Sequence, residues 1–89
     1  MHLSELEKGN VVRFEAKQEF ALNVVVFFDE DTEEFEQEEI IFRGGEQFVV
    51  DIVSYDANNA TMQLQFGDGS VAFVNDEFAS FVRVVSIQE

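Results

Sequence analysis

Three observations predict an all-β fold. Thirteen Val, four Ile and eleven Phe are spread along the chain and Pro is absent; β-branched and aromatic side chains are the ones that fit a pleated, half-buried surface. Apolar residues follow alternation or continuous β-branched runs better than any i, i+3, i+4, i+7 pattern. Gly and Asx clusters at Gly44-Gly45, Asp56–Asn59 and Gly67–Ser70 mark turns between those runs. The expected architecture is an antiparallel sheet of five to six strands with one short helical turn, either strongly bent or closed into a small, partly open barrel. With 89 residues the chain is expected to form a single domain over residues 1–89, long enough for one hydrophobic core and too short for two.

The elements follow in order. Leu3 to Lys8 can make one helical turn, with Ser4 as N-cap, Glu7 three residues on and Gly9 as terminator; it would act as a clasp. The first strand, Asn10 to Lys17, alternates Val12, Phe14 and Ala16 with Val11, Arg13, Glu15 and Lys17, so one of its faces is expected in solvent. Phe20 to Phe28 is apolar on both parities, which predicts a central strand or one covered on both sides, an exposed partner-binding face being the rival explanation. In Asp29–Glu39 eight of eleven residues are acidic, and a solvated loop with room for short strand ends is expected there, with the fold resuming at Ile40, Ile41 and Phe42.

The second half reads as a regular meander. Gln47 to Tyr55 is a strand carrying Phe48, Val50 and Ile52 on one face. Asp56–Asn59 turns, and Thr61 to Phe66 then alternates strictly with Met62, Leu64 and Phe66 inward. Gly67–Ser70 closes a tight hairpin into Val71–Val74. Asn75–Ser80 is expected to form a 3₁₀ or helical turn leading into a last strand, Phe81 to Ile87. Phe14, Phe48, Ile52, Leu64, Phe66 and Phe73 are the predicted core. The two-sided apolar positions Val25, Phe27, Val49 and Val53 are most simply core as well, a homodimer or partner seam being the alternative.

The charge balance sets the functional classes. Nineteen Asp and Glu stand against five Lys and Arg, a net charge of −14. Direct binding of nucleic acid is disfavoured, because a polyanion is approached through Lys and Arg that displace counterions, and Lys8, Arg13, Lys17, Arg43 and Arg83 are few and scattered. Anionic membrane surfaces are disfavoured for the same reason. There are no cysteines, hence neither disulfides nor thiolate metal sites. The opening MHLSELEKGN lacks a basic segment followed by an apolar one, and a cytoplasmic address is expected. Three explanations of the charge remain: solubility of a Phe-rich domain, a halophile surface, and mimicry of a polyanion.

Residues that could carry chemistry point away from catalysis and cofactors. The carboxylates of Asp29–Glu39 lie in a polar run where solvent keeps them ionised, whereas acid–base work needs burial and a neighbour to split pKa values. Asp29, Asp31 and Glu33 alternate as in a calcium loop, but Glu34 stands where the sharp turn needs Gly and Ile40 where the last Glu belongs. No metal site is expected. His2, the single histidine, has no partner ligand, and no GxSxG or histidine base accompanies any hydroxyl. Gly67-Asp68-Gly69 lacks the Lys, Arg or following helix of a phosphate nest and reads as a hairpin turn.

From Gly44 to Ile87, the run of short strands, the hairpin FGDGSVAFV, the single-turn element and the final strand resemble the SH3-like small barrels; the first half departs from them through its long apolar strand and acidic loop, which leaves an OB-like or open-sheet arrangement open. In length, charge and lack of chemistry the chain is similar to the DNA-mimic inhibitors, many of them phage-encoded, which occupy the basic site of a DNA-binding protein. That resemblance implies a non-enzymatic inhibitor whose phosphate surrogates would be Asp29, Glu30, Asp31, Glu33, Glu34, Glu36, Glu38 and Glu39, with Phe35 as an apolar anchor among them. A histone-like nucleoid protein, a polymerase subunit or a nuclease would suit as target. The alternative is an acidic SH3-like adaptor that meets a protein partner through an apolar groove.

Overall fold

A computed structural model describes residues 5–88. Seven strands and one helix follow each other as β1 (Val11–Ala16), β2 (Phe20–Asp29), β3 (Glu34–Phe42), β4 (Gln47–Asp56), β5 (Thr61–Phe66), β6 (Val71–Val74), α1 (Asp76–Phe81) and β7 (Val82–Gln88). They form one open antiparallel sheet in the order β3-β2-β6-β5-β4-β1-β7. The chain is thus mostly β with one short helix, as the sequence predicts, but with more strands than the expected five to six. The added strand is β3, because the acidic segment continues the pairing of β2 instead of looping out.

Connection lengths force this sheet to curl. β1 and β2 lie four positions apart in the sheet, as do β3 and β4. In a flat sheet four steps would span roughly 19 Å. The linker Lys17–Glu19 is three residues long and reaches at most about 14 Å from Ala16 to Phe20. The linker Arg43–Glu46 is tighter still, since the Glu46 amide donates to the Arg43 carbonyl at 3.0 Å and Gly45 takes φ +91°, a conformation that glycine adopts without a Cβ clash. Bulges at Arg13/Phe14, Val25/Phe27 and Ile52/Ser54 bend the strands further. The result is direct: Phe42 of β3 stacks on Phe48 of β4 with ring centroids 4.3 Å apart.

The concave side holds the core. Val12, Phe14, Val24, Met62 and Leu64 are fully buried there. Seven phenylalanines, Phe14, Phe20, Phe42, Phe48, Phe66, Phe78 and Phe81, form a continuous aromatic cluster. The helix α1 enters it from below: Asn75 caps the first turn by accepting from the Glu77 amide at 3.0 Å, which satisfies one of the orphan donors of a helix start, and Phe78 and Ala79 are buried. At the other margin the expected clasp is present in part. Leu6 is buried, and the Gly9 amide donates to the Ile52 carbonyl at 2.9 Å. Leu3 and the expected N-cap Ser4 lie outside the described residues, as does His2.

Several burial expectations are corrected. Phe14, Ile52 and Leu64 are buried as predicted, and Phe48 and Phe66 are packed against the core while partly exposed. Phe73 is not core: it is 61% exposed. The reason is register, because Leu64 faces Ala72 and Met62 faces Val74, so the inward parity of β5 turns Ala72 and Val74 inward and Phe73 out. β2 is an interior strand, between β3 and β6, but it is not covered on both sides along its length. Val24 is buried, but Val26, Phe27 and Phe28 are exposed, as is Val49, while Val25 and Val53 are only half-buried. A core role is therefore lost for Phe27 and Val49.

Candidate functional site

The predicted loop Asp29–Glu39 is a hairpin. Phe20↔Phe42 through Asp29↔Glu34 pair along the whole of β2 and β3, and the turn between them is built by its own polar side chains. The Asp29 carboxylate accepts from the Asp31 amide at 3.0 Å and the Thr32 hydroxyl from the Glu34 amide at 3.4 Å, while Glu33 takes φ 59°. β2 meets β6 at a single pair, Val25↔Val71, and β3 is the sheet edge. Past Val25 the two strands therefore have only each other, and the pair projects as a ribbon.

Alternation divides the nine predicted site residues instead of gathering them. On β3, Glu34, Glu36 and Glu38 share the parity of Ile40 and Phe42, and they face Asp29, Phe27 and Val24 across the ribbon. Phe35 and Glu39 share the opposite parity with Gln37 and Ile41, facing Phe28 and Asn23. Glu30, Asp31 and Glu33 form the turn. By parity Phe35 leaves the row of Glu34, Glu36 and Glu38, yet at the ribbon end it lines a shallow cavity with Phe27, Glu33, Glu34 and Glu36. It is 55% exposed on the other face, beside Phe28 at 56%. All the carboxylates are exposed except Asp29, which is half-buried.

The bulge at Val26 builds a feature that sequence reasoning missed. Without that extra residue Phe28 would share the parity of Val24. With it, Phe28 stands opposite Phe35, and the two line an open groove of about 500 Å³ together with Val25, Val71, Phe73 and the glutamines Gln37 and Gln63. The signal for it was available in part. The Phe66–Ser70 turn, closed by Gly69 amide to Phe66 carbonyl at 3.0 Å and Phe66 amide to Ser70 carbonyl at 2.9 Å, fixes the register that sends Phe73 outward once Leu64 points in.

Among the described residues the one ion pair is Glu15 with Arg83, joining β1 to β7 at the far end of the sheet from the ribbon. The Arg83 guanidinium, helped by the Gln47 amide, holds the Glu15 carboxyl below its ordinary value. No described group of three or more His, Asp or Glu is arranged to hold a metal ion, and no described helix is long and apolar enough to cross a membrane. No family model, curated protein or solved structure matches the chain.

The Gly67–Ser70 turn supplies a pH test. The Ser70 hydroxyl, first, and its amide hold the Asp68 carboxyl below its ordinary value, through bonds of 2.6 and 2.9 Å. A carboxyl lowered in the folded state contributes stability above its unfolded pKa, and that contribution is lost as pH falls through the folded value. Ser70→Ala removes the hydroxyl without changing net charge. Thermal melts are expected to show a lower Tm than the parent at pH 7, with the gap closing toward pH 2; a gap constant across that range would refute the assignment.

Proposed function

We propose that this chain is a non-enzymatic acidic binding protein whose β2–β3 ribbon occupies the basic, nucleic-acid-binding site of another protein and blocks it, in the manner of a DNA mimic. The observation that carries the reading is the exposed row Glu34, Glu36 and Glu38 on an edge strand, free of cation partners among the described residues. Same-face side chains recur every ~6.7 Å along a strand, and one DNA strand advances ~3.4 Å of axis per phosphate. The row therefore offers one carboxylate for about every second phosphate, which a cleft lined with Lys and Arg can accept. Long-range attraction to a chain of net charge −14 would speed the encounter. A nucleoid protein, a polymerase subunit or a nuclease is the class of target, met in the cytoplasm.

Displacement tests this. A labelled duplex bound to a basic nucleoid protein is expected to be released by the chain, with an efficiency that falls steeply as salt rises. The variant carrying Glu33→Gln, Glu34→Gln, Glu36→Gln and Glu38→Gln keeps side-chain volume, and it is expected to need at least about tenfold more protein for the same release, on the scale of contacts between opposed charges. A target that holds duplex and chain together, neither weakening the other, rules mimicry out.

A second reading, an adaptor that binds through an apolar groove, draws on the exposure of Phe28, Phe35 and Phe73. Its fold component, an SH3-like second half, is supported by the succession β4-β5-β6, helix and β7, in which β7 returns to pair with β1. Groove binding predicts that Glu34→Gln, Glu36→Gln and Glu38→Gln, on the opposite face of β3 from Phe35 and Gln37, leave partner affinity unchanged, and this separates the two readings.

A further inference from the structure

Resting on the adaptor reading, we infer that the groove on the outer face of the ribbon docks apolar side chains carried by a cationic segment of a partner protein. Seven of the eleven phenylalanines join the core cluster, and the four that do not, Phe27, Phe28, Phe35 and Phe73, are each more than half exposed. Three of these four converge on the one groove. Its volume of about 500 Å³ leaves room for apolar side chains laid on the open face, and exposed apolar patches of this kind mark interaction surfaces. Position matters as much as area. The bulge at Val26 is what brings Phe28 to the face of Phe35, and bulges re-aim side chains in this way at the cost of ladder pairing.

Charge selects the occupant. The lining is apolar except for Gln37 and Gln63, which can hydrogen-bond a backbone laid along the groove. On its side of the sheet Glu39 and Asp51 lie nearer to it than the cation Arg13, which is one strand further out on β1. A continuous cross-strand row runs Asp51, Gln65, Val71, Val25, Gln37, placing Asp51 on the groove's side of the sheet, and Glu39 shares the face of Phe35 and Gln37. The turn carboxylates Glu30, Asp31 and Glu33 stand beyond the ribbon end. A second copy of the chain would bring −14 against −14 and is repelled, as is an anionic membrane. A segment with Lys or Arg flanking Leu or Phe satisfies both the groove and its surroundings. Glu34, Glu36 and Glu38 lie on the opposite face, so the inference does not require them to imitate phosphate.

The test is a nuclear magnetic resonance titration of the whole chain with two synthetic peptides, one alternating Lys with Leu and Phe, the other with every Leu and Phe replaced by Ser at the same charge. The apolar cationic peptide is expected to bind about tenfold tighter than its Ser counterpart, the scale of a well-filled apolar contact, and to shift the amides of Val25, Phe28, Phe35, Val71 and Phe73. Phe73→Ser, and independently Phe28→Ser, should remove that preference while leaving the melting temperature near the parent's. The triple variant Glu34→Gln, Glu36→Gln, Glu38→Gln should keep the preference, which separates this inference from the phosphate-surrogate proposal. Equal binding of the two peptides overturns it. So does equal binding of a peptide with Gln in place of Lys, or a dimer in sedimentation that Phe73→Ser dissolves.

Discussion

Phe14→Ala is expected to lower the free energy of unfolding by about 3–5 kcal/mol, while Phe73→Ser changes it by no more than about 0.5 kcal/mol. Both residues are strand phenylalanines, and they differ in surroundings. Phe14 is fully buried, tilted against Phe48 at 5.6 Å and edge-on to Phe78 at 5.4 Å. Removing its ring opens a cavity where β1, β4 and α1 meet, and the rings around it cannot collapse inward without leaving their own partners. Against a total stability of about 5–15 kcal/mol for a domain, that loss brings the chain close to unfolding at room temperature. Phe73 leaves water on folding over less than half of its surface. Equilibrium urea unfolding of the two variants reads the difference, and equal destabilisation would mean that the inward parity of β6 has been misassigned.

Screening is the second large effect. Raising NaCl from 0.01 to 0.15 M shortens the Debye length from about 30 to about 8 Å, and stability is expected to rise by about 1–2 kcal/mol, or roughly 4–8 °C in Tm per kcal/mol for a domain of this size. The sign follows from charge and pairing. The chain carries −14, and Asp29 stands directly opposite Glu34, a like-charge pair that destabilises a ladder. Salt also weakens the one ion pair among the described residues, Glu15 with Arg83, but Arg83 is exposed and Glu15 only half-buried, and such surface pairs contribute little. Calorimetry at the two salt concentrations decides it; a Tm that stays level or falls would show that repulsion is not what limits stability.

How far the sequence could be read depended on whether the information was local. β5 and β6 have the predicted boundaries, Thr61–Phe66 and Val71–Val74, because strict alternation and a Gly-Asp-Gly turn lie within one short window. The turn at Asp56 is equally local, its carboxylate accepting from the Asn58 amide at 2.9 Å. The acidic segment reads as a loop because propensity argues against Glu in strands, whereas what holds Glu34–Glu39 extended is the backbone ladder to β2, which composition does not display. The division of the carboxylates between two faces follows from that ladder, and the turning of Phe28 toward Phe35 follows from one extra residue, Val26. A shift of one position reverses every side chain beyond it, so the acidic composition was legible but its geometry was not.

The pairing of β1 with β7, which sets Val11 opposite Gln88, has a consequence for how the chain acquires its structure. Loop-closure entropy must be spent across nearly the whole described chain before that ladder returns anything. Hairpins such as β2–β3 and β5–β6 close within microseconds, whereas sheets dominated by distant pairings assemble over milliseconds to seconds. Until β7 has been synthesised, β1 keeps one edge unpaired, and the apolar face of Val12 and Phe14 lacks the wall that Val82 and Val84 supply. In that interval an unpaired strand edge invites strangers. A nascent chain already carrying the charge of its acidic ribbon would repel other copies of itself during the stage when it is most exposed to them.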